Sequence, residues 1–170
     1  LRGLDPAWEG AVVACAFTGP HVIAVLMVKP WSSFGDRRGP RIALGCSALG
    51  AGCFLLPKAL AADAISFLLL TTASGFFYAG IMPLAYAEAG RLSSRGARGS
   101  GFGLLFSSLT LALALGPFFG GGLAELLGSV RPLFAMAGVL SIAAGALLCA
   151  GGRRSAASGA GAVEPPRAAC

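Results

Sequence analysis

The sequence predicts an all-α protein, a polytopic bundle of helices that crosses a membrane. Of its 170 residues, 56% are hydrophobic and only 12% are charged, whereas soluble domains carry about 25% charged residues. The apolar residues are also gathered into five runs, each close to the roughly 20 residues that a helix needs to cross the hydrocarbon core of a bilayer. A soluble globule and a disordered chain are both excluded by this composition.

The five predicted spans form one transmembrane domain, residues 1–150, and cover about residues 10–29, 40–57, 64–87, 100–127 and 132–150. Pro40 and Pro132 stand where the second and fifth spans begin, and proline is tolerated in the first turn because no hydrogen bond is lost there. Asp63 precedes the third span as a helix N-cap, and Gly128 suits the end of the fourth. Residues 151–170 are rich in Ala, Gly, Ser and Pro, which predicts a disordered tail.

Lysine and arginine are distributed unequally about these spans. Ten lie on one side (Lys29, Arg37, Arg38, Arg41, Arg91, Arg95, Arg98, Arg153, Arg154 and Arg167) and three on the other (Arg2, Lys58 and Arg131). Because basic residues gather on the cytoplasmic side of membrane proteins, the segments after the first and third spans and the C-terminus are predicted to be cytoplasmic. No basic face could follow a phosphate backbone, so the net charge of +6 does not predict nucleic-acid binding.

Motifs of membrane-embedded enzymes are missing from the sequence. Asp5, Asp36 and Asp63 are isolated, and a single histidine cannot form H-E-x-x-H. G-x-S-x-G is absent, as is the ATP-binding G-x-x-x-x-G-K-[ST]. The five cysteines include no C-x-x-C pair, so neither a metal site nor a disulfide framework is expected. An enzyme is therefore disfavoured, and no cofactor is expected.

Two sets of polar residues inside the spans are candidates for a solute or proton cavity. His21 lies midway along the first span beside Pro20, and ionisable groups inside membranes usually face a cavity or a polar partner. The alternative is a neutral histidine bonded within the bundle, to the carbonyl that Pro20 leaves free. Thr71, Ser74 and Tyr78 share one helical face of the third span, although hydroxyl groups that bond carbonyls of their own helix would also account for the threonine and serine.

The segment between the first two spans reads Trp31-Ser-Ser-Phe-Gly-Asp-Arg-Arg-Gly-Pro-Arg-Ile42. It resembles the G-x-x-x-D-[RK]-x-G-x-[RK]-[RK] loop of the major facilitator superfamily, which lies between the second and third helices of each six-helix half. Asp36, Arg37, Gly39 and Arg41 match this pattern, whereas Ser32 and Ile42 replace its first glycine and its last basic residue. The resemblance implies a cytoplasmic gating loop that latches the two halves of a transporter in the outward-facing state.

The fourth span carries a second match. Leu115-Gly-Pro-Phe-Phe-Gly-Gly121 is similar to the family's G-x-x-x-G-P-x-x-G-G motif of the fifth helix, or to its weaker counterpart in the eleventh. Ala112 replaces the leading glycine, which weakens an antiporter interpretation. Ala112, Gly116 and Gly120 recur every four residues, a spacing that lets helices approach closely. Pro117 and Gly121 add the flexibility that alternating access would use.

The resemblance covers five of the six helices of one half. First halves commonly carry an arginine four residues before a glycine of the fourth helix, and Thr71 stands at that place before Gly75, so helices eight to twelve are the expected match. The implied function is movement of a small solute by a rocker-switch, with the lipid bilayer, the solute and the missing half as partners. The alternative is a non-transporting relative that acts as a sensor or partner protein. The chain starts at Leu1, and we expect it to be a piece of a longer protein.

Overall fold

The structure is a computed structural model that describes residues 6–94, 96 and 98–160, with side chains for 10–12, 14–94, 96 and 98–152. The described residues form five α-helices and no strand. The helices are α1 (Pro6–Arg38), α2 (Pro40–Leu60), α3 (Ala64–Leu92), α4 (Arg98–Leu126) and α5 (Arg131–Ala160). All five contain a segment long and apolar enough to cross a membrane. The predicted all-α membrane bundle is therefore confirmed.

The first helix is longer than the sequence predicted. It continues through Pro30 to Arg38, past the predicted end of the span at Lys29, so the predicted gating residues lie at the ends of α1 and α2 and not in a longer loop. A proline inside a helix removes one hydrogen bond and often bends it, but membrane helices tolerate this because neighbouring groups satisfy the freed carbonyl. Gly39 alone separates α1 from α2. Its φ of 89° lies in a region that only glycine adopts readily.

The last helix also extends past its predicted end. Residues 151–160 continue α5, where the sequence predicted the first half of a disordered tail. Once a helix is formed, each further residue adds one hydrogen bond for one residue fixed, which permits such an extension past the apolar run. Residues 161–170 lie outside the described residues.

The most extensively packed helix pair is α2 with α5, where glycines face each other. A methyl group added to Gly145 would lie 2.7 Å from the Gly45 carbonyl oxygen, and one added to Gly52 would lie 2.8 Å from the Gly138 carbonyl oxygen. Ser141 spans the same interface, because its Oγ donates a hydrogen bond of 2.8 Å to the Ala48 carbonyl. Small residues are what permit such an approach between membrane helices.

The second packed pair is α1 with α3, and it meets α2 around one buried tryptophan. Trp31 packs with Ala43, Ala79 and Leu84 in a buried cluster. Its indole Nε1 donates a hydrogen bond of 2.6 Å to the Phe76 carbonyl, which satisfies the polar end of a large apolar side chain. In contrast, α4 touches only α3 and α5, and less extensively. The bundle is therefore built on α1, α2, α3 and α5.

Candidate functional site

The bundle has two ends, which we call the Gly39 end and the Asp63 end. The Gly39 end is where α1 meets α2 and where α3 finishes, and the Asp63 end is where α2 meets α3. At the Asp63 end, Ser66 donates from its backbone N–H at 3.1 Å and from its hydroxyl at 2.6 Å to the two carboxylate oxygens of Asp63. The predicted N-cap is thus confirmed. The hydrogen bond from the Ser66 hydroxyl, followed by that from the Ser66 backbone, lowers the pKa of Asp63 below its usual value.

A lysine that the sequence placed on the surface lies inside the bundle. Lys58 is in the last turn of α2 and is only 6% exposed. Its Nζ donates a hydrogen bond of 3.0 Å to Ser74 Oγ and lies 5.9 Å from the centre of the Tyr78 ring. Lys58, which the sequence placed between the second and third spans, is therefore a buried residue at the end of α2.

Helix geometry explains the direction that Lys58 takes. Side chains on an α-helix tilt toward its N-terminus, and the N-terminus of α2 lies at the Gly39 end. Lys58 thus points away from the nearer end of its helix. Its partner Ser74 lies ten residues past Ala64, where α3 begins, which corresponds to about 15 Å of helix. Lysines near a helix end usually extend outward to the interface, and Lys58 does the opposite.

Ser74 and Tyr78, two of the four predicted cavity residues, contact this lysine, and Thr71 joins them through its backbone carbonyl. Ser74 is fully buried, and its hydroxyl donates to the Thr71 carbonyl at 2.7 Å while it accepts from Lys58. The Thr71 hydroxyl oxygen is buried without a hydrogen-bond partner among the described residues. Tyr78 is 37% exposed, so the cluster reaches from the core to the surface. We call Lys58, Thr71, Ser74 and Tyr78 the lysine cluster.

The fourth predicted cavity residue lies apart from the others. His21 is exposed on α1, and its Nδ1 lies 2.6 Å from the Phe17 carbonyl oxygen. This carbonyl belongs to the same helix but is not the one that Pro20 frees, which is at Ala16. No described hydrogen bond joins His21 to the lysine cluster.

The residues of the predicted gating loop lie on two helix ends rather than on a loop. Asp36 and Arg37 are exposed in the last turn of α1, and Arg41 is half-buried in the first turn of α2. Gly39 joins the two helices. A cavity of about 450 Å³ opens beside them, with walls that include Asp36, Gly39, Pro83, Leu84 and Arg91.

A buried carboxylate at the Gly39 end was not among the predicted site residues. Glu88 is 8% exposed, and its Oε2 lies 3.6 Å from an Arg91 guanidinium nitrogen. The Nε of Arg41 is also buried without a hydrogen-bond partner among the described residues. The sequence feature that could have identified Glu88 is its position one helical turn before Arg91, at the end of an apolar run, where the two side chains can form an ion pair. The Gly39 end therefore gathers charges of both signs around the cavity.

The small-residue stripe on α4 does not pack within the described chain. Ala112, Gly116, Pro117 and Gly121 are exposed, and no atom lies within 4 Å of a methyl group added at Gly116, Gly120 or Gly121. No described residue of α4 is buried. Spacing alone predicted close packing here, but the close approach occurs between α2 and α5 instead. Across the described residues, no three His, Cys, Asp or Glu side chains gather as metal ligands would.

Comparison with known proteins places these features in a family. The chain matches the Major Facilitator Superfamily model over residues 4–168. It is 32% identical over 127 residues to the Multidrug resistance protein MdtG of Escherichia coli O6:K15:H31, covering 75% of this chain and 30% of that protein. The proteins of the same name from Yersinia enterocolitica and Enterobacter lignolyticus are 31% and 32% identical, over 75% and 76% of this chain and 29% of each relative. The chain thus spans about 30% of the length of these relatives. No solved structure was found to match.

Proposed function

We propose, because the chain belongs to the major facilitator superfamily, that it forms part of one bundle of a secondary transporter. The bundle would tilt against a second one to move a small organic solute across a membrane. The observation that carries the proposal is the family match over residues 4–168, which includes all five helices. The relatives are named multidrug resistance proteins, which favours apolar organic compounds as the solutes.

The uncovered faces of α1 and α4 support a bundle that other helices complete. Phe17 on α1 is 71% exposed, and Phe118 on α4 is 75% exposed. In a bilayer, apolar side chains face lipid without penalty, but a stripe of small residues is useful only where another helix packs on it. We therefore propose that Gly116 and Gly120 contact a helix outside this chain, in the missing half of the transporter.

The Gly39 end is proposed to face the cytoplasm. Among the described residues, eight basic residues lie toward the Gly39 side (Lys29, Arg37, Arg38, Arg41, Arg91, Arg98, Arg153 and Arg154), whereas Lys58 and Arg131 lie toward the Asp63 side. This bias agrees with the rule that short cytoplasmic segments are rich in lysine and arginine. The C-terminus, which follows α5 on the same side, would be cytoplasmic as well.

Asp36 is proposed to latch the two bundles. Its carboxylate is exposed in the last turn of α1, and no described ion pair involves it. It could therefore reach the N-terminus of a helix in the other half, where a carboxylate is stabilised by typically about 0.3–1 kcal/mol. A contact of this size shifts an equilibrium several-fold, which is enough to bias the inward-facing and outward-facing states without trapping either.

The proposal is tested by flux through the intact protein that contains this chain, reconstituted into proteoliposomes. Three radiolabelled probes share one ring system and differ in charge: 1-naphthamide, 1-naphthoate and 1-naphthylmethylammonium. We expect entry of at least one probe to be faster than into liposomes without protein. A non-transporting relative would fold and insert but would not accelerate any of the three, and that result would contradict the proposal.

A further inference from the structure

The lysine cluster has no negative partner in the described chain. Asp36 and Glu88 lie at the opposite end of the bundle, and both oxygens of Asp63 accept hydrogen bonds from Ser66. Glu125 is exposed near the end of α4. The ion pair between Arg91 and Glu88 is the one formed among the described residues. Among the side chains that the structure describes, no carboxylate lies beside the buried charge of Lys58.

Several hydrogen-bond donors of the lysine cluster have no acceptor among the described residues. A lysine ammonium has three N–H donors and no acceptor, and Lys58 donates to Ser74 alone. The Thr71 hydroxyl adds a buried group without a partner among the described residues. The Tyr78 ring lies near the ammonium and attracts the cation, but it does not satisfy these donors. A ligand that completes the cluster must supply acceptors and negative charge.

A carboxylate meets both requirements. When it is ionised it accepts at two oxygens and donates nothing, and its hydrogen bonds with an ammonium are charge-assisted and short. The exposed side chains beside the cluster on this face of α3 are largely apolar: Tyr78 is 37% exposed, and Met82, one turn further along, is 36% exposed. The group that carries the carboxylate is therefore apolar where it lies against these two side chains.

We propose that Lys58, with Thr71, Ser74 and Tyr78, binds the carboxylate of an apolar organic anion. This inference rests on the proposed transport function, and it narrows the solute class from apolar organic compounds to organic acids. The same chemistry has one other source, an aspartate or glutamate side chain of the protein, either on a helix outside this chain or at Asp5 or Glu9, whose side chains lie outside the described residues. The two sources differ in whether an added solute is needed, and the experiment separates them on that basis.

The first arm measures the melting temperature of the intact protein in detergent with 1-naphthoate or with its neutral match, 1-naphthamide. A solute carboxylate predicts that 1-naphthoate raises the melting temperature by roughly 3–5 °C at one hundred times its dissociation constant. The amide should not. The shift should survive in Lys29→Met, since Lys29 is exposed on α1, and should be lost in Lys58→Met. If Lys58→Met does not accumulate, Lys58→Arg keeps the charge and should retain the shift.

The second arm needs no solute. If the carboxylate belongs to the protein, Lys58→Met leaves it buried and unpaired, so this variant should melt below Lys29→Met. One Asp→Asn or Glu→Gln replacement in a span outside this chain, or at Asp5 or Glu9, should then restore the melting temperature. The inference is supported when 1-naphthoate raises the melting temperature and Lys58→Met abolishes the shift. It is overturned when 1-naphthoate has no effect, whether the two lysine variants melt alike or a replacement restores the loss and so identifies a carboxylate of the protein as the partner. Flux of 1-naphthamide without any binding of 1-naphthoate would overturn the site and leave the transport proposal standing.

Discussion

Replacing Gly145 with alanine should force α2 and α5 apart. The added methyl carbon would lie 2.7 Å from the Gly45 carbonyl oxygen and 2.7 Å from the Leu49 backbone nitrogen. Close carbon–oxygen contacts between helices are ordinarily about 3.3–3.6 Å, so the backbones must separate by roughly 0.6–0.9 Å, the difference between these distances. Because both obstacles are backbone atoms, no side-chain rotation relieves the contact.

The expected magnitude combines two opposing effects. Overpacking a close contact costs about 1–3 kcal/mol, and a gap of this size forfeits about a quarter to a half of the dispersion energy of each atom pair around it. Alanine also favours the helix by about 1 kcal/mol relative to glycine. Gly103→Ala on α4 is the matched control, since Gly103 lies on the opposite face of the helix from the small-residue stripe, nothing lies within 4 Å of its added methyl group, and it keeps only the favourable effect.

The assay is thermal or denaturant unfolding of the intact protein in detergent, with the two alanine variants compared directly. Because the helix preference is common to both, their difference should be the overpacking alone, about 1–3 kcal/mol in favour of Gly103→Ala. Equal stability of the two variants, or a more stable Gly145→Ala, would refute the reasoning that α2 and α5 touch through their glycines.

Three further predictions concern the ends of the bundle. A reporter fused after Cys170 should be cytoplasmic, and activity of an outward-facing phosphatase reporter there would reverse the proposed orientation. Asp36→Asn should insert normally yet lower solute flux several-fold, whereas unchanged flux would reduce Asp36 to a solvated charge. Because hydrogen bonds lower the pKa of folded Asp63, its contribution to stability should be present above about pH 4 and fall as acid protonates it. Unfolding of Asp63→Ala should therefore depend less on acid pH than unfolding of the wild-type protein, and parallel pH profiles would contradict this.

The number and type of the helices could be predicted from composition, but their ends could not. Apolar runs of sufficient length exist whatever the tertiary structure, and all five became helices. Pro30 and the charged residues after it read as a loop because proline and arginine are poor inside an isolated hydrophobic span. In the bundle, Trp31 is buried against α2 and α3, and this packing carries α1 on to Arg38.

The lysine cluster shows what sequence patterns leave open. Helical spacing put Thr71, Ser74 and Tyr78 on one face, but only the packing of α2 on α3 brings Lys58 to that face. A lysine near the end of a span reads as an interfacial residue because that is where most of them point. The spacing of small residues likewise does not show which helices touch. Gly116 and Gly120 on α4 have this spacing without a contact in the described chain, whereas glycines of α2 and α5 form the close contact.

The central claim is that this chain belongs to a carrier that exposes one solute site to the two sides of a membrane in turn, and counterflow tests it most directly. Proteoliposomes of the intact protein are loaded with an unlabelled naphthalene probe and diluted into a trace of the same probe carrying a radiolabel. An alternating-access carrier exchanges unlabelled probe from inside the vesicle for labelled probe from outside. The account therefore predicts accelerated uptake of the labelled probe, which transiently accumulates above its external concentration. Labelled uptake that is the same in loaded and empty vesicles would contradict the account.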